Sequence, residues 1–297
     1  MLFFRVSFSF TSSKSKLLVK SFNIPIEDLV LTIDDQLYIS ICPTREDDDI
    51  EFYIYDDQTM GDPPRHLDVV SDVILVDEHE RWEHLGLSFN EIFQHLLSLF
   101  KVHETSLYID NETEEWDSVD VRNLVRRWDF IHIVDPSDTY VQKLSDSVIP
   151  ITKDVTLKKP EHAVEIFQVF PQKIGIQNLD YLHISSKYRL TLDDALEMNA
   201  GVLALYQLSV KEANRFVKSW LKGSNPRMKR IYIGLVEDEA NLTTLLKGLK
   251  YQAMPEDLER RVYRRNIIRG GFDIRNKRGQ LATIHIEEIF INLIVWD

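Results

Sequence analysis

The sequence predicts an α/β protein: a leucine-rich-repeat-like stack of strand-helix units with a mainly parallel sheet, flanked by a small N-terminal antiparallel β region and a C-terminal β-meander. Two observations predict the stack. Short apolar-any-apolar segments recur at a spacing of roughly 22 to 28 residues, and amphipathic helices with N-terminal caps lie between several of them. Strand, helix and strand at this period give right-handed crossovers, so the strands are expected to be parallel.

The predicted strands share an apolar residue on each side of a variable one. Three of them carry a further apolar residue three positions earlier, at Trp128, Leu179 and Met228. Polar or aromatic residues stand at the variable positions, which favours a sheet with one exposed face over a compact sheet covered on both faces. The segments are residues 107–109, 131–133, 155–157, 182–184, 203–205 and 231–233.

Capping boxes mark the predicted helix starts. Ser88 and Glu91 precede one apolar stripe, and Ser209 and Glu212 precede another that Gly223 is placed to end. Residues 191–194 are a weaker version of the same device. In the second of these helices, Phe216 and Trp220 are predicted to lie in the core.

Both ends of the chain are predicted to add antiparallel strands. Residues 29–33, 37–41 and 50–55 alternate apolar and polar side chains, with acidic turns between them. Near the other end, residues 270–274, 282–286 and 290–296 read as a β-meander, with residues 276–279 as a turn. Three regions are therefore predicted: 1–21, 22–86 and 87–297.

Composition and charge exclude several classes of function. The chain of 297 residues is 44% hydrophobic and has a formal net charge of −13, which disfavours nucleic-acid binding. No apolar run is long enough for a membrane span. Cys42 is the only cysteine, which fits a reducing compartment, the cytoplasm or nucleus. The arginines at 260, 261, 264, 265 and 269 are expected to form a solvated face, with an acidic partner as the alternative.

The sequence contains no recognisable catalytic motif, so neither catalytic residues nor a cofactor are predicted. His79 and His84 are five positions apart where a helical zinc pair needs four, and a polar loop or helix start is expected there instead. Residues 222–226 resemble a phosphate loop in composition, but they follow a helix instead of preceding one. No metal site is predicted.

Several stretches resemble the nematode F-box proteins that carry a type 2 F-box-associated domain. Residues 190–199 and 208–227 are similar to the signature of that domain, which we place at about 179–250; an asparagine, an aromatic residue, a lysine, a tryptophan and Gly-Ser-Asn-Pro carry most of the match. Residues 270–275, 282–284 and 295–296 are similar to its continuation, and residues 87–96 extend the likeness upstream.

The resemblance implies a role in protein recognition. Such proteins usually begin with an F-box that docks on the adaptor of a cullin-based ubiquitin ligase, and the associated domain is thought to recruit substrates. Residues 7–20 resemble only the last part of an F-box, so residues 1–21 are expected to be a remnant that keeps its C-terminal helix. The resemblance therefore leaves binding of the adaptor and the cullin doubtful.

The leading hypothesis is a non-enzymatic module that binds a protein substrate of unknown identity, as the substrate receptor of a Skp-cullin-F-box ligase does. The alternatives are an interaction or scaffold protein uncoupled from the ligase and, more remotely, a hydrolase with an unrecognised site. Binding is expected on the exposed side of the strands, where aromatic and arginine side chains favour hot spots. The candidates are Tyr108, Phe130, His132, Tyr181, His183, Arg230 and Tyr232, with Ser106, Val202 and Ala204 beside them.

Overall fold

The computed structural model describes residues 2–34, 37–44, 49–55, 66–71, 78–83, 86–110, 118–134, 144, 146–158, 168–169, 172–185, 188–236, 241–262 and 267–296. The chain forms two compact units, Met1–Thr152 and Lys153–Asp297. The region boundaries predicted at 21/22 and 86/87 both fall inside the first unit, and the three-region division stays a prediction.

The first unit combines helices with a mixed sheet. Its helices are α1 (Leu2–Ser9), α2 (Ser13–Ser21), α3 (Phe89–Leu99) and α4 (Ser118–Leu124), with a 3-10 turn at Ile149–Ile151. Its strands are β1 (Pro25–Ile33), β2 (Leu37–Pro43), β3 (Ile50–Tyr55), β4 (His66–Ser71), β5 (Glu78–Glu83), β6 (Lys101–Ile109) and β7 (Trp128–Val134).

The sheet of the first unit has the order β7-β6-β1-β2-β3-β4-β5. Strands β7, β6 and β1 are parallel, and β1 to β5 continue as antiparallel neighbours. The predicted antiparallel region is confirmed, and β4 and β5 extend it. The expectation of a loop or helix start at residues 79–84 is wrong for 79–83, which lie in β5; His84 lies outside the described residues. The acidic turn predicted at residues 46–49 also lies outside them, except for Asp49.

The second unit alternates short helices and strands before ending in a β-meander. Its helices are α5 (Gln172–Gly175), α6 (Leu192–Glu197), α7 (Val210–Lys222) and α8 (Leu242–Leu245). Its strands are β8 (Thr152–Lys158), β9 (Gln168–Val169), β10 (Tyr181–Ile184), β11 (Tyr188–Arg189), β12 (Val202–Leu208), β13 (Arg230–Leu235), β14 (Gln252–Arg261), β15 (Ile267–Arg275), β16 (Leu281–Glu287) and β17 (Phe290–Val295).

The main sheet of the second unit has the order β14-β15-β16-β17-β13-β12-β10-β8. Strands β8, β10, β12 and β13 are parallel and follow one another in chain order. Because parallel crossovers are right-handed, steps in one direction across the sheet place the connecting helices on one side. From β13 onward the strands are antiparallel. The short strands β9 and β11 form a separate pair.

The strand and helix predictions are largely confirmed. All six apolar-any-apolar segments lie in parallel strands, and the boxes beginning at Ser88, Thr191 and Ser209 cap α3, α6 and α7. Gly223 ends α7 with a φ of 104°. Phe216 and Trp220 are buried. The α/β class is confirmed, whereas the leucine-rich-repeat-like description of the stack stays a prediction.

The core of the second unit lies between its sheet and α7. Alternate residues of β10, β12 and β13 are fully buried, whereas their neighbours along each strand are mostly half-exposed. Helix α7 contacts α6 and α8 and buries one apolar face. The strand residues buried toward this side are Leu182, Ile184, Leu203, Leu205, Ile231 and Ile233. None of the described helices is long and apolar enough to cross a membrane.

Candidate functional site

The face of the second unit's sheet that lies opposite the helices carries a groove of about 1250 Å³. The strand pleat places Tyr181 and His183 on this face, because they alternate with the buried Leu182 and Ile184. Arg230 and Tyr232 reach it from β13 by the same alternation. These four predicted residues all line the groove.

One end of the groove is aromatic. The ring of Tyr206 lies 5.6 Å from the His183 ring and 6.3 Å from the Phe290 ring, measured between centroids. Tyr206 is paired in register with Gly234 on the adjacent strand. A Cβ at position 234 would stand 2.6 Å from Cδ1 of Tyr206, so the missing side chain of Gly234 provides the space for this ring.

The other end of the groove holds Arg230 in a defined position. The guanidinium carbon of Arg230 lies 3.9 Å from the centroid of the Tyr232 ring, a cation-π contact. Nη2 of Arg230 donates a long hydrogen bond of 3.4 Å to Oδ1 of Asn292. Burial lowers the pKa of Arg230 and raises the pKa of Tyr232. The arginine therefore presents a partly desolvated charge.

Burial also decides the ionisation of the neighbouring groups. It raises the pKa of Tyr181, and the nearby phenols of Tyr206 and Tyr232 raise it further. It lowers the pKa of His183, and the charge of Lys158 acts in the same direction. At neutral pH the His183 ring is accordingly uncharged and contributes an aromatic surface.

The β-meander supplies one wall of the groove. The two terminal nitrogens of Arg260, Nη1 and Nη2, donate to Oδ1 and Oδ2 of Asp273 over 2.8 and 2.9 Å. The hydroxyl of Thr283 donates to Asp273 and accepts from Arg260 and from Nε1 of Trp296. The predicted solvated face is therefore wrong for Arg260, which is 23% exposed. It fits Arg261 and Arg269, which are exposed, while Arg264 and Arg265 lie outside the described residues.

The other three predicted residues lie in the first unit. Tyr108 and His132 are paired in register on β6 and β7, with ring centroids 4.9 Å apart, and the Phe130 ring lies 6.1 Å from His132. Burial raises the pKa of Tyr108. On the neighbouring antiparallel strands, Tyr38 and Tyr53 stack at 4.8 Å. Aromatic pairs thus recur on this sheet.

Two of the flanking positions predicted to face outward have little exposed surface, although Ala204 still lines the groove. Ser106 is 7% exposed, lies in register between Val30 and Phe130, and donates a 2.5 Å hydrogen bond to Asp28. Ala204 is 6% exposed and lies in register between His183 and Tyr232. Small side chains between larger neighbours are covered by them, which a strand pattern alone does not reveal. Val202 is half-exposed and lines the groove.

Sequence reasoning missed Tyr206, Phe290 and Trp296 as groove residues. Tyr206 directly follows the apolar triplet of β12, and continuing the alternation by one step along that strand would have placed it on the open face. Phe290 and Trp296 come from the meander, whose pairing with β13 no local pattern indicates.

The residues that carry the family resemblance are largely structural. Asn214 is buried on α7, and its amide donates to the carbonyls of Leu245 and Lys247. Asn225 is buried, and its amide donates to the carbonyls of Ala195 and Met198. These two asparagines hydrogen-bond to neighbouring segments of the chain, and Phe216 and Trp220 add buried packing. The signature therefore specifies the scaffold beneath the groove.

The chemistry available for catalysis is limited in the described residues. Ser9 Oγ lies 2.8 Å from Nε2 of His95, but Ser9 is 1% exposed and Phe10 stacks on the imidazole, so this pair joins helices and is closed to a substrate. Among the described residues, no group of three or more His, Cys, Asp or Glu side chains is arranged to hold a metal ion.

Fold and groove together define an α/β protein whose mixed sheet carries an open groove lined by aromatic and basic side chains. Residues 170–233 match the family described as F-box associated. The F-box associated domain-containing protein sdz-33 of Caenorhabditis elegans is 37% identical over 90 residues, covering 28% of this chain and 30% of that relative. The chain thus aligns with less than a third of that relative. No solved structure matches significantly. The resemblance inferred from the sequence is confirmed for this segment.

Proposed function

We propose that the chain is a non-enzymatic protein-recognition module and that the groove of the second unit binds its protein partner. The single observation that carries the proposal is the concentration of tyrosine, tryptophan and arginine side chains on the sheet face opposite the described helices of the second unit. These residue types supply large contact areas and dominate binding hot spots. The groove residues Tyr181, His183, Arg230 and Tyr232 lie within the matched family segment.

The experiment that tests this proposal is a quantitative immunoprecipitation of the tagged full chain from the cells that express it. The Tyr181→Ala, His183→Ala and Tyr232→Ala triple variant is expected to lose the proteins that the wild type retains. A matched control replaces Lys211, Arg215 and Lys218, which lie on α7 away from the groove, with alanine. If the groove variant and the control retain the same proteins, the groove is not the binding surface.

We further propose that α1 and α2 couple the chain to a ubiquitin-ligase adaptor in a reducing compartment, the cytoplasm or the nucleus. The supporting observation is a set of large apolar side chains that are exposed on these two helices and at Phe22, which directly follows α2. Such patches commonly mark protein interfaces. They are Phe4 at 67%, Phe8 at 47%, Leu17 at 66%, Leu18 at 52% and Phe22 at 55% exposure.

A pull-down with purified adaptor distinguishes this receptor role from that of an uncoupled scaffold. Retention of the adaptor by the wild type, and its loss in the Phe4→Asp and Leu17→Asp variant, would support the receptor role. If the wild-type chain does not retain the adaptor, whereas a version extended by a complete F-box does, the chain acts as an interaction protein uncoupled from ubiquitin transfer. The groove proposal is independent of both outcomes.

A further inference from the structure

The two ends of the groove differ in charge. Four basic side chains line one end, and the two acidic ones, Asp154 and Asp180, lie at the same end, because Asp154 is in register with Tyr181 and Asp180 directly precedes it. This local excess of positive charge contrasts with the formal net charge of −13 for the whole chain. The basic residues are Arg227, Lys229, Arg230 and Arg261.

The basic residues collect at the end of the groove where the parallel strands begin. Arg227 and Lys229 directly precede β13, and Arg230 is its first residue. Arg261 ends β14 next to Val262, which packs with Ile294 and Trp296. Because β17 runs antiparallel to β13, Ile294 is paired with Arg230, so Arg261 belongs to the same end.

These cations are available to an acidic ligand. Arg227, Lys229 and Arg261 are exposed. The ion pair between Arg227 and Asp180 spans 3.6 Å with side chains 39% and 63% exposed, and such exposed pairs contribute little to stability. A ligand carboxylate can therefore replace Asp180 at little cost. Stacking on Tyr232 holds Arg230 in place, so little side-chain entropy remains to be lost when a ligand binds it.

The distance between the two ends sets a spacing for the ligand. Arg230 and Gly234, which lies beneath Tyr206, are four residues apart on β13. At about 3.3 Å per residue, this separation is about 13 Å. An extended peptide has the same rise, so its anchor for the basic end and its anchor for the aromatic end would be about four residues apart.

We infer that the groove binds an extended acidic segment of a partner protein, with an aspartate or glutamate at the basic end and an aliphatic or aromatic side chain about four residues away against Tyr206 and Phe290. This inference rests on the proposed function of the groove and adds the chemistry of the partner. Charges at the rim accelerate association and set its salt dependence, and the aromatic end supplies the buried contact area.

A peptide selection tests the inference without knowledge of the natural partner. Phage-displayed random peptides of about twelve residues, long enough to span the groove with extended flanks, are selected on the full chain. The enriched sequences are expected to carry an acidic residue three to five positions from a large apolar one. Consensus peptides are then synthesised and their binding is measured by fluorescence anisotropy.

Matched variants separate charge from general surface effects. Arg227→Glu with Lys229→Glu is expected to weaken binding of the consensus peptide at least tenfold, or about 1.4 kcal/mol. The control Lys211→Glu with Arg215→Glu makes the same charge change on the solvent face of α7 and is expected to leave binding within about twofold, since screening attenuates distant charges. Raising the salt concentration from about 0.1 M to about 1 M is expected to weaken wild-type binding.

The outcomes distinguish the inference from the proposed function. One outcome would overturn the inference and leave the groove as the binding surface. In that outcome, the Tyr206→Ala and Tyr232→Ala variant loses peptide binding, whereas replacing the peptide's acidic residue, or Arg227 and Lys229, has no effect. Selected peptides that bind all groove variants like the wild type would overturn both. Binding that depends on the groove, on the basic residues and on the peptide's acidic residue supports both.

Discussion

The ring of Tyr206 lies directly against the backbone of Gly234 and leaves no room for a β-carbon, which would stand 2.6 Å from Cδ1 of the ring. The aromatic end of the groove thus depends on a pair of residues on the neighbouring strands β12 and β13, of which Gly234 has no side chain. The contact atom belongs to a side chain, so the ring of Tyr206 can turn away when the space is filled.

Gly234→Ala is therefore expected to displace the Tyr206 ring and weaken groove binding, with a stability cost of about 1 kcal/mol. Urea unfolding and peptide anisotropy would measure the two effects. In a Tyr206→Ala background the same substitution should cost much less, because the clash is gone. Equal costs in both backgrounds would contradict the contact.

Asn225 is expected to stabilise the fold without contributing to binding. It is buried, has a φ of 48° and donates to the carbonyls of Ala195 and Met198. Asn225→Ala should lower the free energy of unfolding by about 2 kcal/mol, because it removes both bonds and places alanine at a positive φ. Asn225→Gly removes only the bonds and should cost less.

Urea unfolding of the two Asn225 variants separates these contributions. Peptide binding by the folded fraction should be unchanged in both. If a fully folded Asn225 variant bound the peptide more weakly than the wild type, Asn225 would belong to the groove instead of to the scaffold.

Asp28 is expected to make the protein less stable as the pH rises from about 4 to 6. Burial, together with the negative charges of Glu104 and Asp129, raises its pKa to about 6 despite the hydrogen bond from Ser106. The folded state thus retains the proton that the unfolded state loses near the ordinary pKa of 3.8. The contribution to stability is complete below that value and is lost as the pH rises through the folded pKa.

Asp28→Asn should therefore stabilise the protein by about 1 to 2 kcal/mol at pH 7, a value discounted from the full linkage energy for partial exposure. The gain should vanish below about pH 4. Unfolding in urea across this pH range measures it, with the exposed Glu27→Gln as control. A gain that does not change with pH would rule out titration of Asp28 as its cause.

His95 is expected to make the protein less stable as the pH falls, which is the opposite of the effect of Asp28. Burial, with a contribution from Lys16, lowers its pKa to about 4. Because the Ser9 hydroxyl donates to the carbonyl of Val6, its bond with His95 is donated by Nε2 of the imidazole. The stability that depends on the neutral ring is present above the ordinary pKa of 6.5 and is lost as the pH falls toward 4.

His95→Gln should therefore flatten the pH dependence of stability between about pH 6.5 and 4, where the wild type loses about 1 to 2 kcal/mol through this group once solvent screening of the half-exposed ring reduces the full linkage energy. At each pH the free energy of unfolding of the variant is subtracted from that of the wild type, so that the contributions of the other histidines cancel. Parallel curves for variant and wild type would show that His95 does not titrate in this range.

Features that depend on residues close together along the chain could be predicted from the sequence. Ser88, Thr191 and Ser209 cap helices because each box closes within one helical turn. The apolar triplets form strands because alternation is a property of consecutive residues. For the same reason four predicted groove residues, including Tyr181 and Arg230, could be placed on one face.

Tertiary packing determines which elements meet and which side chains their neighbours cover, and these features could not be predicted. Strand β14 contains Pro255 and acidic residues without alternation, so its pairing with β15 is imposed by the partner strand. Ser106 and Ala204 are buried by larger residues on adjacent strands. The groove itself arises where the meander meets β13, because this pairing brings Phe290 and Trp296 into the groove from a part of the chain that no local pattern connects to β12 or β13.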